Sequence, residues 1–132
     1  MLMKLRSKMQ STNNQKGFTL VELMVVVVII GVLIAIAVPV YRNVQTSAAV
    51  NAHNANVRTL QGVAASCVTT EGVPSAAVTW NSTTGQATST HAWGNYVDSW
   101  PTNPLPSTHA GAGAYTVTIS TTGTINVSPG RQ

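Results

Sequence analysis

Hydrophobic and polar positions divide the chain into regions of different period. Residues 1–16 are largely polar and basic, and residues 23–41 contain no charged side chain. An apolar run of this length predicts a membrane-crossing helix, since about 20 residues at a rise of 1.5 Å span the hydrocarbon core. The basic residues before it favour the cytoplasmic side, which places the rest of the chain outside the cell.

After this run, apolar positions recur every three or four residues, which is the spacing of a helix face. They form two stripes, rotated around the helix axis. The first stripe consists of Tyr41, Val44, Ala48, Ala52 and Ala55. The second stripe consists of Val50, Val57, Leu60, Ala64 and Cys67. Two stripes predict two partners: neighbouring helices for the first, and the chain's own C-terminal region for the second. The alternative is one broad face on a single core.

Signals that end this helix stand at Gly72 and Pro74. Glycine permits a left-handed helix cap, and proline cannot continue the hydrogen-bond pattern. A helix from Phe18 to about Thr70 would be roughly 80 Å long at 1.5 Å per residue.

Towards the C-terminus the pattern changes to short alternating runs, which are typical of β-strands. Residues 115–119 alternate apolar side chains with threonine, residues 121–123 carry turn signals, and residues 125–127 return. This predicts a β-hairpin, and a weaker strand pair is expected around Thr84 and Gly85. The predicted fold class is α+β, a long N-terminal helix packed against a small antiparallel β-sheet head.

Four residues bear on the core of this head. Trp93, Tyr96 and Trp100 are spaced as one helical turn and are expected to fill the core. Cys67 is the single cysteine, so it cannot close an intramolecular disulfide. A small apolar role is favoured for it over an intermolecular bridge or a reactive thiol. About sixty residues make a marginal core alone, so docking onto the second stripe would supply the missing apolar area.

The distribution of charge excludes some functions. Only 8% of residues are charged, and the net charge of +4 belongs to the first 17 residues, because the remainder is formally neutral. No cluster of Lys and Arg follows a phosphate backbone, so nucleic-acid binding is not indicated. The neutral, hydroxyl-rich remainder is typical of an extracellular surface.

Candidate metal ligands are few. His53, His91 and His109 share no metal-ligand spacing, so a zinc or hydrolytic site is not favoured, and no enzyme activity is predicted. A calcium site would have to combine Asp98 with neutral oxygens such as that of Asn103. No cofactor is therefore expected.

Two short patterns, at Asn81 and Asn126, match the acceptor pattern for N-glycosylation. This pattern is common by chance, and hydroxyl-rich loops could equally carry O-linked sugar.

Glu22 is a lone carboxylate at the start of the apolar run. A charge in the bilayer costs about 2.5–3.5 kcal/mol on insertion scales, so such a residue indicates a function and requires a partner.

The segment from Lys16 to Leu23, KGFTLVEL, resembles the leader junction of type IV pilins and the related pseudopilins. The resemblance covers residues 16–42. It implies that a prepilin peptidase cuts between Gly17 and Phe18 and methylates the new N-terminal Phe18. The alternative is an ordinary secretory signal cleaved near Ala35-Ile36-Ala37, which leaves Glu22 unexplained and discards the anchor.

Cleavage would give Glu22 a partner, because Phe18 then carries an ammonium group four positions away on the same helix. The resemblance implies that Glu22 of an incoming subunit pairs with Phe18 of its neighbour during assembly. Gly31 and Pro39 weaken a helix by about 1 and 3 kcal/mol. A kink is expected in the subunit, and the resemblance implies that helix is lost between these residues in the filament.

A looser resemblance concerns residues 96–104, which are similar to a segment of disulfide-free small pilins, many of them from Gram-positive bacteria. The better-known pilins close a C-terminal loop with two cysteines. This chain has only one cysteine, so the adhesive role of that loop does not carry over.

The predicted organisation is a leader at residues 1–17, an apolar membrane and assembly helix at 18–41, an amphipathic continuation at 42–70 and a β-rich head at 71–132. The expected function is a structural pilin that forms a helical homo-oligomeric filament. Alternatives are a pseudopilin of a type II secretion or DNA-uptake system, and a monomeric membrane-anchored binding domain or enzyme. Expected partners are the prepilin peptidase and the pilus assembly platform. The precursor would lie in the cytoplasmic membrane, and the filament on the cell surface.

Overall fold

A computed structural model describes residues 17–85 and 90–132. The predicted leader, apart from Gly17, lies outside the described residues. The chain divides between Pro39 and Val40 into two compact units.

One long helix, α1, comprises Leu20–Glu71 and contains Pro39. It begins two residues after Phe18, where the sequence analysis expected its start. It ends at Glu71, and Gly72 adopts a positive φ of 85° while its N–H donates to the carbonyl of Val68 at 3.0 Å. This left-handed residue ends the helix as the sequence predicted.

The head contains a three-stranded antiparallel sheet in the order β1-β2-β3. Its strands are β1 at Val78–Trp80, β2 at Thr116–Ile119 and β3 at Ile125–Ser128. β2 and β3 form the predicted hairpin, with Val117 opposite Val127. The α+β fold class is therefore confirmed.

The first strand of the pair expected around Thr84 and Gly85 is β1, and its return strand would fall on residues 86–89, which lie outside the described residues, so that pairing stays a prediction. β1 pairs with β2, with Trp80 opposite Val117, and the described residues 90–115 contain no strand. A tight turn does form, since the N–H of Asn81 donates to the carbonyl of Thr84 at 3.0 Å. The carbonyl of Gly85 then accepts the N–H of Trp93 at 2.8 Å, which leads the chain into a short 3₁₀ helix.

The core lies between α1 and the sheet. From α1 it takes four members of the second stripe, Val57, Leu60, Ala64 and Cys67. From the head it takes Trp80, Trp93, Tyr115, Val117, Ile119 and Val127. Full burial of one large apolar side chain stabilises a fold by about 1.5–3 kcal/mol. Three short strands make a marginal core by themselves, so the apolar face of the helix supplies the side chains that complete it. The predicted docking of the second stripe onto the head is confirmed.

The first stripe has a different environment. All of its members are exposed, with 64% of the surface of Tyr41 and 61% of that of Val44 accessible. The alternative of one broad face on a single core is therefore wrong. That the first stripe meets neighbouring helices stays a prediction.

The predicted aromatic turn is also present. A 3₁₀ helix at Trp93–Asn95 buries Trp93, and Tyr96 and Trp100 pack against the core while half-buried. The rings of Trp93 and Trp100 lie 5.2 Å apart at 53°. All three side chains fill the core, as expected.

Candidate functional site

The N-terminal junction precedes the first turn of α1. Gly17, Phe18 and Thr19 have no regular secondary structure, and 90% of the surface of Phe18 is accessible. A peptide bond in an exposed, irregular segment is open to an enzyme. Cleavage between Gly17 and Phe18 stays a prediction.

Glu22 has a partner that the sequence analysis missed. Its Oε2 accepts hydrogen bonds from the backbone N–H of Thr19 at 2.8 Å and from the Thr19 hydroxyl at 2.9 Å. In return the N–H of Glu22 donates to the Thr19 hydroxyl at 3.2 Å. This is a capping box, whose signal is a threonine followed three positions later by glutamate. In the uncleaved chain, Glu22 therefore closes the N-terminus of its own helix.

The apolar half of α1 is fully exposed. Every described residue from 17 to 48 is accessible, and an 18-residue window of the helix has a mean hydropathy of 3.2 and no buried share. By length and composition the helix can cross a membrane. A contiguous apolar surface of this extent marks an interaction site for lipid or protein.

Gly31 and Pro39 both lie inside α1 and keep helical backbone. A Cβ added at Gly31 would meet no atom within 4 Å, so packing within the subunit does not require glycine there. Loss of helix between Gly31 and Pro39 in a filament stays a prediction.

A polar cluster joins the end of α1 to the loop of the head. Glu71 accepts hydrogen bonds from the N–H of His91 and, at 2.9 Å, from the Tyr96 hydroxyl. The Nδ1 of His91 lies 3.8 Å from Oε2 of Glu71, and its Nε2 lies 2.9 Å from the carbonyl oxygen of Gly72. The bond from the His91 backbone, followed by that from Tyr96, holds the pKa of Glu71 below its ordinary value.

His91 has a backbone φ of 62°, which a residue other than glycine seldom adopts. Its carbonyl accepts the indole N–H of Trp80 at 2.7 Å. Two hydrogen bonds, this one and the one from the His91 N–H to Glu71, hold His91 in its strained backbone conformation. From the sequence, His91 was a candidate only for metal binding.

A second polar cluster holds the C-terminus on α1. Nδ1 of the buried His53 lies 2.9 Å from the hydroxyl of Tyr115, and its Nε2 lies 2.8 Å from the carbonyl oxygen of Gly130. Next to it, the amide of Asn54 donates to the carbonyl of Gln132 at 3.0 Å and accepts its N–H at 2.9 Å. These bonds bind the tail of a head that has no disulfide.

The remaining candidates occupy separate places. Asn81 accepts three hydrogen bonds from Thr83 and Thr84 through Oδ1 and so organises a turn, while Asn126 is exposed on β3. Burial raises the pKa of the Cys67 thiol, which fits the small apolar role.

The residues that the structure describes contain no group of three or more His, Cys, Asp or Glu placed to hold a metal ion. Asn103, the considered calcium ligand, uses its amide oxygen to accept the N–H of Leu105 at 3.0 Å.

Comparison with known proteins agrees with this arrangement. A family model described as the prokaryotic N-terminal methylation motif matches residues 12–38. The type IV narrow pilus major component PilA5 of Thermus thermophilus is 40% identical over 81 residues, which are 59% of this chain and 68% of PilA5. No solved structure matches.

Other relatives match only near the N-terminus. The type IV major fimbrial protein FimA of Dichelobacter nodosus is 72% identical over 29 residues, 22% of this chain and 19% of FimA. The fimbrial protein EcpB of Eikenella corrodens is 57% identical over 37 residues, 28% of this chain and 23% of EcpB. The chain thus spans about a fifth of the length of these relatives.

A long apolar helix with a methylation-type junction, packed against a small sheet, defines an anchored α+β subunit. With the similarity to PilA5 over most of that protein, the chain belongs to the type IV pilin family. The predicted resemblance is confirmed, and the chain is a pilin subunit.

Proposed function

We propose that this pilin is a structural subunit, not an enzyme, which polymerises into a type IV pilus after a prepilin peptidase removes residues 1–17. The observation that carries the proposal is the exposed apolar surface of α1, interrupted by Glu22 alone. Residues 18–41 would anchor the precursor in the cytoplasmic membrane, and residues 42–70 and 71–132 would form the stalk and the head outside it.

Polymerisation would replace lipid by neighbouring helices around the apolar surface. The first stripe lies on a face of the amphipathic part of α1 that the head leaves exposed. Helices of neighbouring subunits would cover the apolar surface and the first stripe. This supports a homo-oligomeric filament with the apolar helices inside. The membrane platform of the pilus machinery would perform the transfer.

Glu22 would change partners during this process. In the precursor its carboxylate accepts hydrogen bonds from Thr19. Cleavage creates an ammonium group at Phe18, and this cation on a neighbouring subunit would pair with Glu22. In a low dielectric, removal of either partner of such a pair costs about 3–5 kcal/mol. The pairing therefore selects one axial stagger between subunits.

The test compares filaments sheared from cells that produce Glu22→Gln, Glu22→Ala or the unchanged chain. Both variants are expected to accumulate as cleaved subunits and to yield at least about tenfold fewer filaments, because the neighbour's ammonium group lacks a carboxylate. Asp98→Asn is the matched control, since it removes an exposed carboxylate of the head. Wild-type numbers of filaments from Glu22→Ala would contradict the pairing.

A second variant separates pairing from helix capping. Thr19→Val removes the hydroxyl of the capping box and leaves Glu22 intact, so filaments are expected to persist. If Thr19→Val lost filaments as fully as Glu22→Ala, the function of Glu22 would be capping alone. Electron microscopy of the sheared material also distinguishes a long pilus from the short pseudopilus of a secretion or DNA-uptake system.

A further inference from the structure

The sheet of the head has an open edge that polymerisation through α1 does not use. In the order β1-β2-β3, the strand β3 has a neighbouring strand on one side and none on the other among the residues that the structure describes. An open side presents a row of backbone N–H and C=O groups, which is a template for another extended chain. The edge of β3 is therefore a candidate interaction surface.

The hydrogen-bond register shows which backbone groups face this open edge. At the end of the hairpin, the N–H of Ser120 donates to the carbonyl of Thr124 at 2.9 Å. Residue pairs in an antiparallel ladder alternate between hydrogen-bonded and non-hydrogen-bonded, so the next bonded position on β3 is Asn126. The N–H and C=O groups of Ile125 and Val127 therefore point away from β2, towards the open edge.

The composition of β3 favours association at this edge. Natural proteins keep strand edges apart with lysine, proline, a bulge, a covering segment or a short strand. β3 is short, with four residues, but it carries no charged residue and no proline, and its register with β2 has no bulge. Asn126 and Ser128 are exposed on its outer face. A second extended segment would thus meet no repulsive charge on β3.

The strand is complementary to a second copy of itself. When two copies run antiparallel with Asn126 opposite Asn126, Ile125 of each copy lies opposite Val127 of the other. Both of these pairs exchange two hydrogen bonds, so every outward N–H and C=O group of the strand obtains a partner. Apolar side chains then meet on the inner face, where Ile125 is only half-buried in the single subunit. Two neutral amides, which can both donate and accept, meet on the outer face.

The opposite edge of the sheet is a poorer partner for β3. The strand β1 has three residues, and the same alternation directs the N–H and C=O groups of Thr79 alone towards its outer edge. Pairing of β3 with β1 would leave the outward groups of either Ile125 or Val127 without a partner. The contact of β3 with β3 uses the whole edge.

We propose that the edge of β3 binds the same edge of a second copy of this chain, in an antiparallel pair centred on Asn126. Such a contact has two-fold symmetry. Subunits within one helical filament all point the same way along its axis, so a two-fold contact cannot join them. In the filament proposed above, the pair therefore joins two filaments side by side and recurs along both. This consequence rests on the proposed function, whereas the pairing of the two strands does not.

A cysteine at the centre of the pair tests the register. The two Cα atoms at position 126 would lie about 4.5 Å apart, which a disulfide can bridge. Sheared filaments of Asn126→Cys, oxidised with copper phenanthroline, are therefore expected to give covalent dimers in non-reducing electrophoresis. Ser128→Cys is the matched control, because its two copies would lie about 13 Å apart, too far for a disulfide. Cys67 is buried, so it does not compete.

Charged variants test whether the pair joins filaments. Asn126→Lys places like charges opposite each other, which destabilises a strand pair. Bundles in electron micrographs of sheared filaments should become at least about tenfold rarer, because the penalty recurs at every contact. Thr79→Lys, exposed on β1, adds the same charge and should keep the bundles. A mixture of Asn126→Lys and Asn126→Asp filaments should bundle again, since opposite charges then meet.

Four results would overturn the proposal. Dimers may be absent from Asn126→Cys, equally abundant from Ser128→Cys, or formed only when Asn126→Cys is combined with Thr79→Cys, which would indicate contact between β3 and β1. Equal loss of bundles from Thr79→Lys and Asn126→Lys would show an effect of net charge instead of pairing.

Failure of the filament proposal gives a different result. If the unchanged chain forms no filaments, the cross-link is measured on the full processed chain in detergent micelles. Dimers from Asn126→Cys would then support the pairing without the filament, and their absence would overturn the pairing too.

Discussion

The ring nitrogen Nδ1 of His53 lies 2.9 Å from the hydroxyl oxygen of Tyr115, although the two residues are 62 positions apart. Both side chains are fully buried. His53 belongs to α1 and Tyr115 directly precedes β2. This contact therefore connects the stalk helix to the hairpin of the head inside the core.

Tyr115→Phe should lower the free energy of unfolding by about 1–3 kcal/mol, because it leaves a nitrogen of His53 without its partner in a buried site. Tyr41→Phe is the matched control, since Tyr41 is exposed, and its free energy of unfolding should not change. Denaturant unfolding of the full chain in micelles, followed by tryptophan fluorescence, measures both. Equal stability of the two variants would show that the His53 contact contributes nothing.

Glu71 makes the stability of the head depend on pH. Its pKa is lowered from the ordinary value of 4.5 in the folded chain, so its contribution is complete above that value. The contribution is lost as the pH falls through the lower, folded pKa, because the unfolded state binds the proton first. Thermal unfolding between neutral and strongly acidic pH should show this loss.

Glu71→Gln should be less stable than the unchanged chain at neutral pH, and the difference should disappear in acid. Asp98→Asn, which removes an exposed acid, should keep the full pH dependence. A pH profile of Glu71→Gln that runs parallel to that of the unchanged chain would contradict the assignment.

Two glycines should respond to alanine in opposite directions. Gly72 has a φ of 85°, so Gly72→Ala strains the left-handed cap and should destabilise the chain by about 1 kcal/mol. Gly62 lies exposed in the middle of α1, and a Cβ there would meet no atom within 4 Å. Gly62→Ala should therefore stabilise the chain by about 0.5–1 kcal/mol. Denaturant unfolding in micelles measures both, and the same sign for the two variants would refute the assignment of the helix end.

Local patterns predicted much of this fold. The second stripe and the hairpin follow from periodicity, because burial of one face imposes the period of the element. The pairing of β1 was not predictable in the same way, since its partner β2 begins 36 positions after Trp80. Local turn signals at Gly85 indicate a nearer partner strand, whose place falls on residues outside the described part of the chain.

The polar clusters show why the site was only partly predictable. His53 lies within the second stripe, four residues before Val57, and Glu71 follows Cys67 by four residues, so both lie on its face. That spacing was a signal for their burial towards the head. Their partners Tyr115 and His91, however, lie 62 and 20 positions away, and no local pattern names them. The capping box of Glu22 is a local signal, a threonine three positions before a glutamate, and was predictable from the sequence.

The most direct test of the assembly account is the intact mass of the subunit in sheared filaments. We expect a chain that begins at Phe18 and carries one added methyl group, since only cleavage before Phe18 places an ammonium group beside Glu22 of a neighbour. A subunit that retains residues 1–17, or one cut near Ala37, would contradict the account, because the cation would then be in the wrong place.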